Sequence, residues 1–271
     1  MAQRVKSGVV ALVLLAGLAL ACVTAPPIPS GLTPEQQRIH RLLADIDLPQ
    51  FAEKLEQVAL RIGGHPRDGQ LPEDQRLRPR IETQLAPDAV VADVVRQVSG
   101  SFDEVHVLEL ERFNASPLGR KVDAAADAPY SWLSRLGYRM FGSASGGAPE
   151  RVALVEKLDA LTQSSRTSID LYMTVYEAIV RWYDKHGFID PKESEAVGGV
   201  DGLLAREREQ VEANSTKHTI PFGLYALSDL STPELAEYVG EAGSPAGQWY
   251  AKAVRDALLD TVGRRAEAIE R

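Results

Sequence analysis

One cysteine, Cys22, stands among 271 residues, so no disulfide can form within the chain. Aromatic residues are sparse, at 6%. The alternating apolar and polar pattern of half-buried strands is almost absent, which leaves an all-α fold as the expectation. Five histidines, His40, His65, His106, His186 and His218, include no pair three or four residues apart. With no HExxH, no Cys/His cluster and no EF-hand loop, the sequence predicts neither a metal site nor a cofactor. GxSxG, Walker A and Rossmann glycine patterns are missing as well. Ser143, Ser145 and Gly146-Gly147 lack the strand–turn–helix setting of a nucleophile elbow and are assigned to a linker.

Basic runs are lacking too. Of 30 Lys and Arg, Arg4 and Lys6 fall in the first 21 residues, which leaves 28 bases against 38 acids beyond them. The resulting balance of −10 repels phosphate backbones and argues against nucleic-acid binding. What the chain does have is 44% hydrophobic and 25% charged residues, an ordinary globular composition.

The start of the chain reads as a leader. Residues 1–6 are basic, and 7–21 form an unbroken run of apolar and small residues that is short for a membrane span and suits a signal peptide. Ala19-Leu20-Ala21 followed by Cys22 resembles a bacterial lipobox, in which the cysteine becomes the lipidated mature N-terminus. Ala19 stands where that pattern usually has leucine, and ordinary cleavage after Ala21 would give a soluble periplasmic or secreted protein. Residues 22–32 carry three prolines and a glycine and are expected to form an extended tether. Val23 stands where aspartate signals inner-membrane retention, so the resemblance implies the outer membrane, facing the periplasm, with the membrane engaged through a lipid on Cys22.

Amphipathic helices fill the remainder. Thr33-Pro34-Glu35-Gln36 predicts an N-cap, a proline at the first helical position and a capping box. Apolar stripes follow at Ile39, Leu42, Leu43 and Ile46, then at Phe51, Leu55, Val58, Ala59 and Ile62. Helices are predicted near 72–84, where Pro79 is a candidate kink, and near 87–98. Asp103 starts another. An aromatic-rich piece with Tyr130, Trp132 and Phe141 precedes the linker at 141–149. A long helix near 165–185 is followed by a charged helix at 203–213, a separate buried one at 220–230, and Thr232-Pro233 repeating the opening of Thr33-Pro34.

One motif occurs twice. Ser116-Pro117-Leu118-Gly119 and Ser244-Pro245-Ala246-Gly247 each lie between amphipathic stretches, 128 residues apart. Serine can cap the second helix, proline suits its first position, and glycine at the third lets the preceding helix come close. The spacing predicts a multi-helix array of two related halves, 33–140 and 150–271, each ending in an SPxG helix–turn–helix hairpin. Phe113-Asn114-Ala115-Ser116-Pro117-Leu118-Gly119 resembles the FYxSPxG-like hairpin of the bacterial domain-of-unknown-function 2059 family, with Asn114 in place of tyrosine. The second copy matches only from Ser244. The resemblance implies an exported helical protein and no established reaction.

Three functions remain open at this stage. The favoured one is a non-enzymatic envelope lipoprotein that binds a protein partner or another envelope component. Glu193-Ser194 is faintly similar to the catalytic Glu-Ser of lytic transglycosylases, which makes a peptidoglycan-acting hydrolase with Glu193 as acid the rival. A carrier with an apolar cavity between the halves is the third. Trp132, Trp182 and Trp249 are assigned to the core.

Overall fold

Capping chemistry sets where the helices begin. In the computed structural model, which describes residues 32–44, 48–63, 74–127 and 148–271, the Thr33 hydroxyl accepts from Gln36 N at 3.2 Å while Gln36 Oε1 accepts from Thr33 N at 3.0 Å. That capping box opens α1 (Pro34–Ala44). The first part of the array continues with α2 (Leu48–Gly63), α3 (Asp74–Gln84), α4 (Pro87–Ser99), α5 (Glu104–Asn114) and α6 (Pro117–Asp127). Asp103 caps α5 by accepting from Val105 N and His106 N. The second part comprises α7 (Pro149–Thr162), α8 (Ser164–Lys185), α9 (Pro191–Glu195), α10 (Gly199–Ala226), α11 (Thr232–Ala242) and α12 (Pro245–Glu270). The protein is all-α, with no strand among the described residues. The leader, Cys22, the tether up to its last residue, the aromatic-rich piece and most of the linker lie outside them. Leu32, where the tether ends, packs on the core.

Apolar faces at helical spacing place α12 and α8 at the centre. Val254, Leu258, Val262 and Ile269 of α12, with Leu171, Val175, Ile179 and Trp182 of α8, join the buried residues of α1 to α5 and Val211 of α10 in one cluster. A second cluster collects Leu118 of α6, Val155 of α7, Leu224 of α10, Leu227, Leu230, and Leu235 and Val239 of α11. Neither cluster respects a boundary at 141–149: α8, α10 and α12 of the second part complete the core of the first, and α6 enters the other cluster. A repeat of whole halves is not confirmed. The four helices before the hairpin span 11, 16, 11 and 13 residues in one part and 14, 22, 5 and 28 in the other.

Two boundaries differ from the sequence expectation. Residues 203–213 and 220–230 are not separate helices, since α10 runs unbroken through Pro221. An internal proline costs about 3 kcal/mol in isolation, but α10 is held on both sides of it. Val211 is buried against the α8 cluster, Tyr172 Oη donates to Glu207 at 2.7 Å, and Leu224 is buried on the far side. Arg151 then donates to the carbonyls of Leu227 and Leu230 just past its C-terminus. Pro79 is likewise carried inside α3 between Leu77 and Ile81, which are buried.

The cap of α11 is Ser231 rather than Thr232. Ser231 Oγ accepts from Glu234 N, and the Glu234 carboxylate returns to Ser231 N at 2.8 Å. The Glu234 carboxyl is held at about 2, first by its hydrogen bond from Lys121 and then by Ser231. Ser231→Ala is expected to cost about 1 kcal/mol and Thr232→Ala much less, read as thermal midpoints of the two variants. The reverse order would return the cap to Thr232.

Candidate functional site

Both SPxG turns have the same construction. Ser116 Oγ accepts from Gly119 N at 2.9 Å, and Ser244 Oγ accepts from Gly247 N at 3.1 Å. A Cβ on Gly119 would lie 2.1 Å from the Phe113 carbonyl oxygen, and one on Gly247 2.3 Å from that of Glu241. In each turn that oxygen belongs to the residue six before the glycine. The glycine amide is therefore used by the serine, and the space beside its Cα is filled by the backbone of the preceding helix. Ser116, Pro117, Gly119, Ser244, Pro245 and Gly247 form turns and leave no open space for a ligand at the glycines.

The fold brings the two hairpins together. Helix α5 packs on α12, and α6 packs on α11. Phe113 stacks on Tyr238 at 6.1 Å, and Lys121 pairs with Glu234 at 2.7 Å. First arm meets second arm in both directions, a reciprocity that sequence spacing does not reveal.

An open cleft of about 420 Å³ lies beside this junction, lined by Gln97, Ser101, Trp249, Lys252, Asp256 and Asp260 among others. The indole of Trp249, assigned to the core from sequence, packs against the first cluster and is partly buried. Its Nε1–H donates to the Ser101 carbonyl at 3.0 Å, and the His106 ring lies 5.9 Å away. His106 Nδ1 is buried with no hydrogen-bond partner among the described residues, 3.9 Å from Glu109. The carboxylates along α12 are already matched by cations of the same helix. Asp256 takes Lys252 and Arg255, and Asp260 takes Arg264 and the Gln97 amide. The hydrogen bond from Lys252, then that from Arg255, holds the Asp256 carboxyl below its usual range against desolvation. Matched charges around an anchored indole can seat a side chain.

The other sequence candidates are dispersed. Trp182 is buried in the first cluster at 1% exposure, and its ring carries His186 at 4.2 Å and Phe188 at 5.8 Å. His40 is buried, and desolvation lowers its pKa. Glu193 sits on the five-residue α9 between Lys192 and Glu195, both exposed. Among the described residues no group of three or more His, Cys, Asp or Glu is placed to hold a metal ion, and no helix is long and apolar enough to cross a membrane. No family model matches the chain, and neither a curated protein nor a solved structure matches it.

Proposed function

We propose that the chain is a lipid-anchored helical protein of the bacterial envelope that binds a protein partner at the Trp249 cleft. The observation that carries the binding role is the indole itself, fixed by its own N–H, flanked by His106 and open to an adjoining cleft. A preset tryptophan within a rim of matched charges is the arrangement that concentrates binding energy at protein interfaces. The partner it fits presents an apolar or aromatic side chain flanked by polar groups. Kinship with the domain-of-unknown-function 2059 family remains part of the proposal, supported by the Phe113 to Gly119 stretch alone. The envelope location rests on Arg4, Lys6, the apolar run 7–21 and Cys22.

Two measurements separate location from binding. A palmitate analogue is expected to label the full chain and to miss Cys22→Ala; label that survives the substitution removes the anchor. In crosslinked envelopes, Lys252→Glu and Trp249→Ala are expected to lose a partner that the wild type captures. Lys252 is exposed on the rim, so its substitution leaves the core intact. Undiminished capture by both variants would sink the cleft as the binding site.

A further inference from the structure

Helix α5 is held firmly on one side and exposed on the other. Val107 is fully buried and Leu110 packs on the core. The Arg38 guanidinium donates to Glu104 at 2.7 and 2.8 Å and to Glu111 at 2.8 and 3.0 Å, binding α5 to α1. The outward face carries Val105 at 62% exposure and Leu108 at 38%, two of the three large hydrophobic residues exposed among those described. Glu104, Leu108 and Arg112 form a ridge at i, i+4 and i+8, with Val105 beside it. Along the axis that ridge reads acid, apolar, base.

We propose that α5 pairs antiparallel with α5 of a second copy about a two-fold axis at Leu108. In an isologous contact, residue i meets j and j meets i. An axis at Leu108 sets Leu108 on the partner's Leu108, and Glu104 opposite the partner's Arg112 in both directions. Val105 then covers the aliphatic stem of the partner's Arg112. A ridge of this order is complementary to itself only when reversed. Anionic lipid headgroups would face Glu104 and Glu109 instead, which disfavours that occupant. One helix face buries less than the roughly 1,200 Å² of a stable dimer, so pairing is weak in dilute solution and is strengthened where anchored copies share a surface. The ridge lies around α5 from His106, so the pairing goes beyond partner binding at the Trp249 cleft and does not depend on it.

Cysteine crosslinking of the full chain in intact envelopes tests both pairing and register. Leu108→Cys is expected to give a reducible species of twice the monomer mass, because facing Cα atoms at the axis come within disulfide reach. Val105→Cys is expected not to, since two such residues are offset by six positions, about 9 Å along the helix. Wild type, with Cys22 alone, and Glu237→Cys on exposed α11 report background. Arg112→Glu added to Leu108→Cys is expected to lower the yield about tenfold by placing like charges opposite each other twice. Absence of the Leu108→Cys dimer, equal yields from the other positions, a yield unchanged by Arg112→Glu, or a crosslink to a protein of different mass would each overturn the pairing.

Discussion

Gly247→Ala is expected to destabilise the protein by about 2–3 kcal/mol, although alanine is the better helix former. The new Cβ would lie 2.3 Å from the Glu241 carbonyl oxygen and 2.8 Å from that of Ala242. Both are backbone atoms within a helix, so relief requires the α11–α12 hairpin to open. Opening would stretch Ser244 Oγ from Gly247 N, and the bond from Gln248 Nε2 to the Ala242 carbonyl, now 2.7 Å. Gly119→Ala is expected to act likewise, against Phe113. The controls are Gly240→Ala and Gly263→Ala, where a Cβ meets nothing within 4 Å among the described residues. There the propensity gain stands alone, and stability is expected to rise by up to about 1 kcal/mol. Urea midpoints of the four variants check this sign pattern. Stabilisation by Gly247→Ala would show that the turn is not tight.

Local signals were the most legible. The Thr33 box, the Asp103 start and the helix near 87–98 follow from spacing and capping alone, because each involves residues within one or two turns. Where a tertiary contact decides, local pattern misleads. Residues 203–213 and 220–230 read as two helices, yet burial of Val211 and Leu224 keeps α10 whole. Thr232 and Ser231 are both acceptable caps; Glu234 decides for Ser231 by standing three residues on. The repeat was legible as a hairpin and is not confirmed as a half-chain, since the hairpin's needs are local and the core's are not.

The candidate site was less legible still. Serine, proline and glycine in the repeated motif announced themselves and proved to be wholly occupied in making turns. Trp249 gave no such signal: with Tyr250 and Val254 it continues a plausible core face. Its exposure depends on Ser101, 148 residues away, which takes its N–H. No periodicity in α12 encodes that contact. The ridge of α5 could have been noticed, because Val105 and Leu108 fall outside the stripe containing Val107 and Leu110. An apolar residue on the wrong face of a helix is the signal that was there to read.

Arg265→Met is expected to destabilise by about 2–4 kcal/mol, the other large effect. Its guanidinium, mostly buried, donates to Asp93 Oδ2 at 2.5 and 3.1 Å, to the Gln84 carbonyl at 2.6 Å and to the Ala89 carbonyl at 3.0 Å. It thereby ties α12 to the end of α3 and the first turns of α4. Methionine keeps the aliphatic stem and removes all four bonds, leaving Asp93 to Arg96 alone. Removing one member of a partly buried pair costs more than the pair contributes, because the other charge stays desolvated. The pH dependence distinguishes this cause from lost packing. Burial raises the Asp93 carboxyl, but hydrogen bonds from Arg265 and Arg96 outweigh it, so its folded pKa is depressed. A depressed carboxylate contributes stability above its unfolded value, near 4, and loses it as pH falls through the folded value. The wild-type advantage over Arg265→Met is therefore expected to be full at neutral pH and to shrink below about pH 4. Denaturant midpoints of both proteins between pH 7 and pH 3 measure it. An advantage that stays constant across that range would assign the loss to packing and to the bonds on the Gln84 and Ala89 carbonyls, and leave the ion pair without a role.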